Sequence, residues 1–96
     1  MDNTNDQTGV ITVVGQDTFG IIARVSQILY DCHVNIKDIT QTIMENKIFT
    51  MIMVVDLSLA KVDTKELSGR LEALGKEIGL SILLQHSDLF NAMHRI

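Results

Sequence analysis

Aromatic side chains supply only 4% of the 96 residues. Any core must therefore be assembled from Val, Ile, Leu and Met, and the apolar share of 46% is enough for one. A single cysteine, Cys32, excludes an intramolecular disulfide and fits a reducing compartment. Basic residues are few: eight stand against twelve acidic ones, for a net charge of −4, and they form no cluster. Broad nucleic-acid binding needs a basic face, and an RNA-reading sheet needs exposed aromatics on its central strands. Neither is on offer. No apolar run approaches the ~20 residues that cross a bilayer, and residues 1–8 are polar, without the apolar stretch of a signal peptide. The expected setting is cytoplasmic, with neither membrane nor nucleic acid as a partner. A chain of this length makes one domain and buries only about 60–65% of its unfolded surface.

What is present alternates between two periods. Val10, Ile11, Val13 and Val14 form a short β-branched run, read as a strand from Val10 to Gly15. The residues from Gly15 to Gly20 have turn chemistry at both ends. Ile21, Ile22, Val25, Ile28, Leu29 and Cys32 then recur at one face of a period of about 3.6. This predicts a helix from Phe19 or Gly20 to His33. A second strand is expected over Val34–Met44, with Val34, Ile36, Ile39 and Ile43 as its apolar members. Glu45, Asn46 and Lys47 form a polar break suited to a hairpin. Ile48–Leu57 is the strongest strand and is apolar on both faces, with Ile48, Ile52 and Val54 on one and Phe49, Met51, Met53 and Val55 on the other. Asp63 precedes Glu66 by three, a capping-box spacing, and Leu67, Leu71, Leu74 and Ile78 mark the buried stripe of a second helix that Gly79 ends. Gly69 and Gly75 inside it weaken it by ~1 kcal/mol each and suggest close packing. A fourth strand follows over Leu80–Gln85. Ser87 then caps a short helix over 88–96, with Leu89, Phe90, Met93 and Ile96 on its apolar side and charges ordered as the helix dipole favours.

The expected fold is α+β and ferredoxin-like, βαββαβ. It has a four-stranded antiparallel sheet of order 2-3-1-4, two helices on one face and a short C-terminal helix. Residues 1–8 are read as a flexible tail, 9–87 as the domain and 88–96 as the terminal helix. A sheet covered on one face should alternate apolar and polar. Ile48–Leu57 does not, and strand 2 would be an unpaired edge. A homodimer is expected.

Catalytic patterns are missing. Cys32 falls on the apolar stripe and reads as a small core hydrophobe. His33, His86 and His94 lack metal-ligand spacing. Met44, Met51, Met53 and Met93 read as core or interface filling. No Ser-His-Asp or phosphate-loop pattern occurs. Residues 16–20 contain no arginine for acylphosphatase-like chemistry, and there is no Cys-x-x-Cys loop for a copper carrier. No enzymatic activity, metal or cofactor is expected.

The segment Val10-Ile-Thr-Val-Val-Gly-Gln-Asp-Thr-Phe-Gly20, followed by Ile21-Ile-Ala-Arg-Val-Ser-Gln-Ile-Leu29, resembles the first strand, loop and helix of ACT domains. Val34-Asn35-Ile36 matches the opening of their second strand. The resemblance covers roughly Val10 to Gln85, and the ending Asp88 to Ile96 is similar to the tail of small stand-alone ACT proteins. It implies a regulatory module that binds an amino acid or other small metabolite at a domain interface and signals to a separate regulated partner protein or through its oligomeric state. It points to Asp17, Thr18, Phe19, Gly20, Ile21, Ile22 and Asn35 as the ligand-binding residues.

Physical chemistry gives those positions a use. A helix N-terminus carries free N–H groups and about half a positive charge, suited to a carboxylate. Gly20 allows close backbone approach, Asp17 can accept from an ammonium, and Asn35 can both donate and accept. Plainer roles stay open beside these: Asp17 as the cap of helix 1, Gly20 as a packing residue, Asn35 as a turn stabiliser. A ligand-free interaction and dimerisation domain is the alternative function.

Overall fold

The computed structural model describes residues 7–87. The first strand of the chain, β1 (Thr8–Gln16), lies inside the sheet, between the third and the last. The remaining elements are α1 (Ile21–Asp31), β2 (Asn35–Ile43), β3 (Ile48–Asp56), α2 (Thr64–Ile78) and β4 (Leu80–His86). The four strands are ordered β2-β3-β1-β4 and every pairing is antiparallel. The expected fold is the observed one. The expected terminal helix over 88–96 and residues 1–6 lie outside the described residues. The tail expected over 1–8 gives way earlier than that. Thr8 already pairs with Asp56, and the Gln7 carbonyl accepts from the Leu57 amide at 2.7 Å.

Both helices pack on one face, and strict alternation along β3 shows which. Phe49, Met51, Met53 and Val55 are buried, while Ile48, Ile52 and Val54 are only half-buried. Ile11 and Val13 of β1 and Ile82 and Leu84 of β4 join the covered face. Its lid is Ile21, Val25 and Leu29 from α1 and Leu67, Leu71 and Leu74 from α2. Burial of each such side chain stabilises the fold by about 1.5–3 kcal/mol. Cys32 sits among them at 1% exposure, as its place on the stripe predicted. Val10, Thr12, Val14, Thr50, Ile52, Val54 and Leu83 face the other way.

α2 begins and ends where its sequence says it should. The Asp63 carboxylate accepts from the Glu66 amide at 2.8 Å, a cap worth about 1 kcal/mol. Gly79 closes the other end at φ 77. The two internal glycines differ. A Cβ at Gly75 would lie 2.5 Å from the Leu80 carbonyl oxygen, whereas one at Gly69 would meet no described atom within 4 Å. Only Gly75 brings the helix close to the sheet.

β2 is the rim of the sheet. Of its nine residues only Ile36 is sheltered. A bulge between Ile36 and Asp38 sets Lys37 out of register. Ile36, Ile39 and Ile43 therefore share the helix-side face, opposite Val55, Met53 and Phe49. The helices do not reach that far: Ile39 is 38% and Ile43 51% exposed.

Candidate functional site

The loop after β1 opens onto α1 through Gly20. This residue is the N-cap, in the left-handed region at φ 79 and ψ 19. A Cβ there would meet no described atom within 4 Å, so the backbone angle and not packing calls for glycine at this position. Among the described residues no side chain caps the helix, and its first turn holds no acidic residue. The reading of Asp17 as the cap is thereby corrected: three residues before the N-cap, it stands too early in the turn. Its amide instead donates to the Lys47 carbonyl at 3.0 Å, tying the loop to the β2–β3 hairpin. Lys47 is itself left-handed at φ 66. It is a neighbour of the loop that sequence reasoning missed, because only strand pairing brings residue 47 beside residue 17.

The predicted residues divide by what they expose. Asp17, Thr18 and Phe19 are open to solvent, and Phe19 is fully so, at 101% of its reference surface. Ile21 is buried and Ile22 packs against the core. Their side chains hold the helix down, and only their backbone amides are left for a ligand. Those amides carry the positive end of the helix dipole, with no counter-charge in the first turn.

Asn35 lies elsewhere. Its row in the sheet runs through Asp56 to Thr8, at the start of β1. The loop follows Gln16, at the other end of that strand. The two rows are eight residues apart along β1, about 27 Å at ~3.4 Å per residue. Within one chain, Asn35 and the Asp17–Ile22 loop therefore lie at opposite ends of the sheet, because α1 carries the chain back along it before β2 begins.

Around Asn35 there is a different feature. A cavity of about 470 Å³ is lined by Tyr30, Asp31, His33, Val34, Asn35 and Leu59. Tyr30 is 78% and Leu59 72% exposed at its rim. The turn into β2 is closed by backbone bonds, from the His33 amide to the Tyr30 carbonyl and from the Val34 amide to the Leu29 carbonyl, with His33 at φ 62. The Asn35 side chain is not what closes it. Beside it, Asp56 is held below the usual carboxylate range, first by the Ser58 amide, which donates at 2.9 Å, then by the Ser58 hydroxyl and more weakly by Lys37.

A second hollow, about 600 Å³, runs between the helices over Ala23, Ala73 and Leu74. The Arg24–Glu77 pair bridges it at 2.7 Å. Arg70 pairs with Glu66 at 2.6 Å and approaches the Cys32 sulfur at 3.5 Å. Exposed pairs of this kind add about 0–1 kcal/mol. Among the described residues no helix is long and apolar enough to cross a membrane.

Comparison with known proteins fits this geometry. The ACT domain family model matches residues 7–85. The UPF0237 protein MJ1558 of Methanocaldococcus jannaschii is 51% identical over 87 residues, covering 91% of this chain and 96% of its own. The structure of an ACT domain protein from Streptococcus pneumoniae superposes with a TM-score of 0.76 at 39% identity, over 94% of this chain and all of its own. The regulatory subunit of aspartate kinase from Thermus thermophilus gives a TM-score of 0.64 at 26% identity, over 84% of this chain and 52% of that one. With its sheet order, its uncapped first helix and these matches together, the chain belongs to the ACT domain family, whose members are typically regulatory ligand-binding modules.

Proposed function

We propose that this protein is a cytoplasmic sensor of a small zwitterionic metabolite, an amino acid in the first instance. It acts as a homodimer, is not itself an enzyme, and hands its signal to a separate partner protein. The observation that carries this reading is the N-terminus of α1, whose opening amides no described side chain caps. A carboxylate is the ligand group those amides suit, and Asp17 supplies the counter-charge for an ammonium.

The position of Asn35 supports the dimer. Among the described residues β2 has a free outer edge, and free edges pair. A two-fold axis through Ile39, the middle of the strand, sets Asn35 of the partner subunit opposite Ile43. Ile43 is at the end of β2 where the hairpin turn meets the Asp17 loop. The residue that one chain holds about 27 Å away is then returned to the loop by the second chain. Each dimer has two such sites, each built from one loop and one Asn35. The regulatory subunit of aspartate kinase, a structural neighbour, supports a regulatory role.

The test is thermal denaturation of the dimer with each of the twenty amino acids in turn. A ligand at 100 times its Kd adds about 2.7 kcal/mol, which for a domain of this size raises Tm by roughly 10–20 °C. No shift with any of them, in a protein that remains dimeric, removes the amino-acid reading. It favours instead a ligand-free dimerisation domain, to which the exposed Phe19, Ile43 and Met44 also lend support.

A further inference from the structure

The far end of α1 is as unbalanced as its beginning. A helix C-terminus carries about half a negative charge and favours a basic residue beside it. The last turn of α1 has none, and the helix ends on a carboxylate, Asp31. Among the described residues Asp31 forms no ion pair. Its side chain accepts from the neutral Gln27 amide at 2.9 Å. Backbone donors reach the carbonyls of Ile28, Leu29, Tyr30 and Cys32, and the Asp31 carbonyl receives none of these bonds. Arg70 is near enough to feel Asp31, but its guanidinium is held by Glu66 at 2.6 Å. Lys37 is turned to the Thr8 hydroxyl, at 3.2 Å.

This end of the helix is a wall of the cavity of about 470 Å³ beside Asn35. Small-molecule sites span about 300–1,000 Å³, so the hollow has the right size for one. Its lining contains one carboxylate, Asp31, and no lysine or arginine. Val34 and Leu59 supply apolar surface. Tyr30 stands at the rim, 78% exposed, and the face of an aromatic ring attracts a cation. A negative helix end, a carboxylate with no cation of its own and an open phenol ring thus meet around one partly apolar hollow.

We propose that this cavity binds an organic cation carried on a short alkyl chain, a primary ammonium or a guanidinium. The charge sits between the Asp31 carboxylate and the Tyr30 ring, and the chain lies against Val34 and Leu59. The site is built from one chain. It does not depend on a carboxylate at the opposite end of α1, and it shares with that reading only Asn35, which borders both.

Tyr30 is the only tyrosine and the protein contains no tryptophan, so tyrosine fluorescence of the full-length chain reports on this cavity. The probes are pentylamine and two molecules of similar length, pentanol and valerate, at about pH 8, where an ordinary histidine is neutral. The expected result is a saturable change in Tyr30 emission with pentylamine alone, with the same Kd by titration calorimetry. Asp31→Asn removes an exposed charge that the helix dipole disfavours, so the far-UV circular dichroism should be retained. It should weaken pentylamine binding roughly tenfold or more. Glu72→Gln removes an equal charge from an exposed position of α2 and should leave that binding unchanged. No saturation with pentylamine by either method overturns the proposal. So does equal binding of pentanol or valerate, which makes the hollow merely apolar. Binding untouched by Asp31→Asn, or weakened as much by Glu72→Gln, overturns it too, the second by assigning the effect to net charge. Pentylamine has no carboxylate, so a failure here leaves the amino-acid reading of the α1 loop standing, and a failure of that reading leaves this one.

Discussion

Two glycines in one helix should respond to the same substitution with opposite sign. Gly69 and Gly75 both lie inside α2, so replacing either by alanine brings the same intrinsic gain, about 0.5–1 kcal/mol, from a less flexible unfolded chain and a better helix former. At Gly69 nothing opposes it, because the new methyl group meets no described atom within 4 Å. Gly69→Ala should stabilise the protein by that amount. At Gly75 the methyl would sit 2.5 Å from the Leu80 carbonyl oxygen and 3.4 Å from Ile82 Cγ1. The first of these sets a Cβ, which no rotation can move, against main chain. No rotamer relieves it, and α2 must move off β4 where Leu71, Leu74 and Ile82 are packed. Overpacking of this kind costs about 1–3 kcal/mol, and the upper half of that range applies where the obstacle is backbone. The net loss is about 1–2 kcal/mol after the helix gain. Urea unfolding followed by far-UV circular dichroism, at one protein concentration and with unchanged m-values, measures both. In a thermal scan the Gly69 variant should melt about 3–6 °C higher and the Gly75 variant about 5–15 °C lower. A Gly75→Ala protein as stable as its parent would refute the claim that this glycine sets the distance between helix and sheet.

Two other consequences are open to measurement. Asp56 has a folded-state pKa below its ordinary one. Its contribution to stability is therefore complete above about pH 4, the unfolded value, and disappears as pH falls through the lower folded one. The stability difference between the parent and Asp56→Asn should be flat from about pH 5 to 8 and shrink below about pH 4, and a carboxyl carbon titration with a midpoint at or above about 3.9 would sink the assignment. If loop and asparagine act across subunits, Asn35→Ala and Gly20→Val homodimers should each lose ligand. Heterodimers of the two should recover one site in two, because one interface joins an intact loop to an intact asparagine. Recovery of neither site would mean that the residues act within one chain or not at all.

The architecture was legible because its signals are local. Asp63, Glu66 and Gly79 fix both ends of α2 by chemistry that reaches three or four residues, and the i, i+4, i+7 stripe from Ile21 places α1 within a residue or two. β2 was harder. Ile36, Ile39 and Ile43 are spaced three and four apart, which fits no alternation, and only the bulge at Lys37 explains how all three share a face. The candidate site was half legible. Its residue types were recognisable, but the cap assigned to Asp17 belongs to Gly20, since a left-handed residue next to the helix takes over the turn. The distance between Asn35 and the loop was invisible because spacing along a chain does not say at which end of a sheet a strand begins. Lys47 beside Asp17 was hidden for the same reason.

The pairing of β1 with β4 has a bearing on how the molecule is made. The strand from Thr8 to Gln16 needs two neighbours, and one of them, Leu80 to His86, leaves the ribosome only after every other element of the sheet and both helices. Until then the first strand waits with an open side rich in valine and isoleucine. Contacts of such long sequence separation form slowly, and unpaired strands of this composition attract one another. The sheet closes only once residue 86 has been synthesised, and a polypeptide stalled anywhere before residue 80 lacks the strand that completes it.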